Sequence, residues 1–220
     1  MSNIFQEVDE EVRHERWLKL WQRYGKYVAG AVVALVLGVA AQVGWREYQT
    51  SQRLSESVRF SNASEFLASG QAALAAQQFA VLADDAGAGY AALARLREAE
   101  ALAESGDTVG AVAALDRLAA DDGAGEALRE LASLLALYHL IDDADPVVIE
   151  QRLAPLMRDE SPWRSSAREL DGLLAIRLGD TARAREIFAA LTGDAAVPTA
   201  VRGRAAELLA VLGGPAGGDG

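Results

Sequence analysis

From Tyr27 to Trp45 the chain reads YVAGAVVALVLGVAAQVGW, 19 residues without a charge between Lys26 and Arg46. As a helix this run rises about 28 Å at roughly 1.5 Å per residue, close to the ~30 Å hydrocarbon core of a bilayer. Aromatic residues gather at both ends, with Trp17, Trp21, Tyr24 and Tyr27 before and Trp45 and Tyr48 after, as interfacial belts do. A buried core helix of this length would carry a polar face. A cleaved signal peptide would not have so long and acidic a leading region, and no small-x-small site precedes a plausible mature start. The pattern therefore predicts one uncleaved transmembrane helix over 27–45. Before it, Phe5, Val8 and Val12, then Trp17, Leu20, Trp21 and Tyr24, recur at three- and four-residue steps. They predict an amphipathic arm over 1–26 that either lies on the membrane surface or continues the spanning helix as its polar extension.

Beyond the span the chain repeats itself. Gly106-Asp107-Thr108 recurs as Gly179-Asp180-Thr181, 73 residues later, and at the same offset Tyr90 meets Trp163, Ala111 meets Ala184, and Leu115 meets Phe188. Gly87-Ala88-Gly89 recurs as Gly123-Ala124-Gly125 at an offset of 36, about half of 73. Turns consequently line up near residues 70, 106, 142 and 179. Each unit of about 36 residues is expected to be two antiparallel helices, as in 90–105 and 108–120. Asp107 and Asp180 are placed to cap the second helices. Asp145-Pro146 and Ser161-Pro162 each pair an N-cap residue with proline at the first helical position. No segment shows the two-residue alternation of a strand, so the fold class is all-α. The repeat region spans 46–212, and the glycine-rich tail 213–220 is expected to be disordered.

Charge adds a direction to this outline. The net charge is −11. Five acids and five bases cancel in residues 1–26, so all of the excess follows the span, where 27 acids face 16 bases. A domain so acidic repels phosphate backbones, which argues against nucleic-acid binding. Within about 15 residues of the span, five bases precede it (Arg13, Arg16, Lys19, Arg23, Lys26) and three follow (Arg46, Arg53, Arg59). This bias places the N-terminus in the cytoplasm and the repeats across the membrane.

Candidate chemistry is sparse. With no cysteine there is no thiolate metal site and no thiol nucleophile. His14 and His139 fall on opposite sides of the span. Asp142, Asp143 and Asp145 lack the spacing, the glycine and the distal glutamate of a calcium loop. Neither Gly-Ala-Gly run has the lysine of a phosphate loop, and no serine stands in G-x-S-x-G. The expectation is a non-enzyme with no cofactor and no small-molecule substrate.

The units resemble the tetratricopeptide repeat (TPR). Its run of a small residue, Gly-Asp, a second small residue and a large apolar one is met by Ala99, Gly106, Asp107, Ala111 and Leu115. It is met again by Gly172, Gly179, Asp180, Ala184 and Phe188, and in part by Gly70, Ala75 and Phe79. The units depart from the pattern in carrying Leu82, Leu118 and Leu191 at a small-residue position and in lacking the closing proline. The unit around 126–157 is degenerate. The resemblance implies a TPR-like α-solenoid of helix pairs whose concave face is lined by the first helix of each pair. By repeat position the groove candidates are Glu100, Glu104, His139, Glu169 and Arg177.

Arm, span and repeats together resemble the membrane-anchored TPR-like family known as the ancillary subunit of the SecYEG translocon. That resemblance implies an inner-membrane protein with a periplasmic domain. It also implies partners among Sec translocon subunits, periplasmic chaperones and exported clients. The same repeats also suit an envelope-biogenesis or cell-division coordinator.

Overall fold

The computed structural model describes residues 3–213, with side chains from residue 23 onward except at 28 and 32. Among the described residues there is no strand. The amphipathic face expected of the arm rests on side chains outside the described residues, as does the tail from residue 214. The chain divides into two units, after Ser55.

The first unit is built on α1 (Asn3–Ala68), whose last turns belong to the second unit. Among its described residues it contains one stretch long and apolar enough to cross a membrane, and no described side chain in that apolar stretch is buried. Leu35, Leu37 and Trp45 are each more than 60% exposed. In water such a surface would be strongly unfavourable, so the segment does not read as the core helix of a soluble fold. Lys26 Nζ stands 5.1 Å from the ring centroid of Tyr27, which puts a cation–π contact at the first end of the apolar run.

In the second unit the last turns of α1 are followed by α2 (Ala72–Asp85), α3 (Ala88–Glu104), α4 (Thr108–Ala119), α5 (Glu126–Leu140), α6 (Pro146–Leu153), α7 (Arg164–Arg177), α8 (Thr181–Gly193) and α9 (Thr199–Val211). Three of the four predicted turns share one construction. Gly70, Gly106 and Gly179 have φ of +77°, +89° and +78°, a conformation that glycine adopts without a Cβ clash. In each turn the next residue donates its N–H five residues back: Gln71 to Phe66 O, Asp107 to Leu102 O, Asp180 to Ala175 O, at 2.8–2.9 Å. This is the Schellman closure, which satisfies the last carbonyls of one helix. Asp107 and Asp180 then open the next helix by accepting from Gly110 N at 2.8 Å and Arg183 N at 3.0 Å. Such a cap contributes about 1 kcal/mol.

The second helix of the third unit is short. Pro155 lacks the N–H that the helix would use next, and α6 passes into a 3-10 turn over Ala154–Met157. Asp145 caps α6 through Val147 N at 2.9 Å, with Pro146 first in the helix. Ser161-Pro162 behaves differently from the expectation, because α7 starts at Arg164 with Trp163 as its cap residue. Ser161 Oγ donates to Glu130 Oε2 at 2.7 Å, and Trp163 Nε1 donates to Ala127 O at 2.9 Å. Both bonds anchor this segment to α5 and leave Pro162 in the turn.

Packing follows the repeat. Four apolar clusters succeed one another along the chain, each between neighbouring helix pairs. Helix α3 serves two of them, giving Ala94 and Ala101 to the first and Ala92 and Ala99 to the second. The small side chains let the helices approach closely, and the space between is filled by Phe79, Leu115 and Phe188, all essentially buried. Hydrogen bonds also link neighbouring pairs at a separation of one repeat. Arg152 holds Asp116 with two bonds of 2.7 and 3.0 Å across 36 residues, and the Trp163–Ala127 bond has the same separation. A buried carboxylate, Glu98, joins α3 to α4 through Arg117 at 2.8 Å and is also held by Arg95 at 3.1 Å.

Candidate functional site: a groove on the first helices of each pair

Helical spacing places Leu93, Leu96, Glu100 and Ala103 along one face of α3. On α5, Leu135 and His139 are one turn apart. These residues, with Phe60 from the last turns of α1, line a groove of about 720 Å³ floored by Ala99 and Leu115. Its polar lining consists of Arg97, Glu100 and His139. Arg97 and Glu100 pair with each other at 2.5 Å. Phe60 is fixed by edge-on packing against Phe79, with centroids 5.4 Å apart, and by Tyr90 at 5.9 Å. Leu93 remains 46% exposed, so the groove presents apolar surface to the outside.

A second, smaller hollow of about 430 Å³ lies between α5, α7 and α9, lined by Tyr138, Glu169, Leu173, Arg204, Glu207, Leu208 and Val211. Glu169 is only 3% exposed, and Arg204 grips its two carboxylate oxygens at 2.6 Å each across 35 residues. The Tyr138 hydroxyl is pushed above the ordinary tyrosine range, first by burial and then by the Glu169 charge, with Arg204 opposing. Arg204→Ala is expected to cost about 2 kcal/mol, below the 3–5 of a fully buried pair because Arg204 is itself half exposed. Adding Glu169→Gln should recover part of that loss, because the stranded charge is then gone. Urea titration of the three variants checks this, and a loss under about 0.5 kcal/mol for Arg204→Ala would contradict it.

The residues chosen by repeat position are thus distributed over the fold. Glu100 and His139 line the first groove. Glu104 ends α3 and is exposed. Glu169 lies at the second hollow, engaged by Arg204. Arg177 donates from Nη1 to Ile141 O at 2.5 Å and from Nη2 to Ala144 O, so its guanidinium closes the end of α5. Sequence reasoning did not single out Phe60, Leu93, Leu96 and Leu135. The three- and four-residue steps from Glu100 back to Leu96 and Leu93 carried that signal. Arg204 had none, because α9 lacks the Gly-Asp landmark that sets the register of the other units.

The tetratricopeptide repeat-like domain family matches residues 18–201, a stretch that begins before the apolar run and ends in α9. The chain belongs to this family. Searches among curated proteins and solved structures gave no match. TPR-like domains in general mediate contacts between proteins.

Proposed function

We propose that this TPR-like protein is a non-enzymatic, membrane-anchored scaffold. Its span holds the repeat domain at the periplasmic face of the inner membrane, where it serves the Sec translocon and links exported proteins to periplasmic chaperones. The observation that carries the reading is the union, in one chain, of an unburied apolar span with aromatic ends and a repeat domain bearing an open apolar groove. The excess of bases before the span supports the orientation, and the likeness of the arm to the translocon-associated family supports the place. Anchoring confines the groove near its partners and raises their effective concentration without tight contacts.

The absence of cysteine makes the topology directly testable. Single cysteines placed at Ser2 and at Ser57 in the full chain should differ in their labelling by a membrane-impermeant maleimide added to intact cells with permeabilised outer membranes. Only the second is expected to react. Reaction at Ser2 alone would reverse the orientation. In the same cells a photo-crosslinker at Leu93 is expected to trap translocon subunits or periplasmic chaperones. Trapping of peptidoglycan-synthesis proteins instead would move the assignment to envelope biogenesis or cell division.

A further inference from the structure

The first groove has an apolar end and an acidic end. Phe60, Tyr90 and Leu93 stand together near the start of α3. Toward the other end of α3 come Glu100 and then Glu104, one turn apart. Short turns reverse the chain between helices, so α5 runs the same way as α3, and beyond its His139 lie exposed Asp142 and Asp143. Arg97 pairs with Glu100 inside the groove and Arg177 is held by the carbonyls at the end of α5, so the acidic excess at this end is carried by Glu104, Asp142 and Asp143. The surrounding unit reinforces the asymmetry, with 25 acids against 14 arginines in residues 56–213. A field of that sign draws in cations and repels acidic segments.

Resting on the reading of this groove as a protein-binding site, we infer that its occupant is a cationic amphipathic helix of a partner protein. A row of large apolar side chains on one face of that helix sits against Phe60, Leu93, Leu96 and Leu135. A lysine or arginine at one end meets Glu100 and Glu104. Apolar contact supplies the affinity, as in other helix-in-groove complexes. The charges set direction and rate of encounter and exclude acidic competitors.

The test uses the full chain in nanodiscs of zwitterionic phosphatidylcholine, with empty nanodiscs as the control for lipid binding. Two fluorescein-labelled helical peptides share leucines at i, i+4 and i+7. One ends in a pair of lysines and its twin in a pair of glutamates. By fluorescence anisotropy the lysine peptide is expected to bind about tenfold more tightly than its twin, the scale of a few exposed ion pairs acting together. Glu100→Lys with Glu104→Lys should reverse that order, and Leu93→Ser should weaken both peptides. These three side chains are exposed, and circular dichroism verifies that the variants fold. Equal binding of the twins, or a preference unchanged in the double lysine variant, overturns the inference while Leu93 dependence keeps the groove as a protein site. Binding that ignores Leu93→Ser, or that equals binding to empty nanodiscs, overturns both readings.

Discussion

Phe79→Ala is expected to destabilise the repeat domain by about 3–5 kcal/mol, the range for deleting a fully buried aromatic side chain. Phe79 is 0% exposed and lies among Ala63, Ala75, Ala76, Leu82 and Ala94. The upper half of the range is expected because these neighbours are mostly alanines. Alanine has no rotamer with which to reach into a cavity, and the turn at Gly70 ties together α1 and α2, which carry most of these neighbours. The lost volume therefore stays empty. The effect also reaches the groove. Phe60 rests edge-on against Phe79, so its removal frees one wall and should weaken occupants that depend on that wall. Because a solenoid is coupled mainly between neighbours, the unfolding transition should broaden as the first pair melts ahead of the rest. Urea denaturation of the full chain in mild detergent, followed by circular dichroism, measures both consequences. A cost below about 1.5 kcal/mol with an unchanged slope would contradict the packing argument.

The architecture was largely readable from sequence because its determinants are local. A glycine that must adopt positive φ and an aspartate that must cap are chemical requirements of a tight reversal, so Gly106-Asp107 and Gly179-Asp180 mark their turns wherever they occur. The degenerate third unit also had a local cause, in Pro155. Ser161-Pro162 misled because its geometry is decided at a distance. The Glu130 carboxylate and the Ala127 carbonyl, about 30 and 36 residues back, hold the segment in a turn where proline would otherwise start a helix. Binding surfaces suffer more from this than turns do. Glu169 and Arg177 share the charged character of Glu100, yet Glu100 pairs with Arg97 on its own helix, whereas Glu169 is locked to Arg204 and Arg177 to backbone carbonyls of another helix. Repeat position places a side chain on a helix, but the partner that occupies it comes from the neighbouring unit. Where that neighbour lacks a landmark, as α9 does, the pairing leaves no trace in the pattern.

Gly172→Val tests the close approach of α7 to the Phe188 ring, and a loss of about 3 kcal/mol is expected. A Cβ at Gly172 would stand 2.6 Å from Phe188 Cζ and 2.7 Å from Cε1, well inside contact distance. The ring is fully buried between α7, α8 and α9 and cannot swing into solvent. Replacing glycine within a helix stabilises it by up to about 1 kcal/mol, which offsets only part of the overpacking cost of roughly 1–3 kcal/mol or more. The equivalent pairs elsewhere carry alanine on the first helix. Ala99 shares a cluster with the shorter Leu115, and Ala63 shares one with Phe79. Phe188→Leu combined with Gly172→Ala would recreate the Ala99–Leu115 pair. The double variant is therefore expected to be more stable than the sum of its single effects predicts, by about 1 kcal/mol or more in a double-mutant cycle. Additive effects would mean that the ring has room to move. The small residue on the first helix would then have a cause other than the large residue on the second.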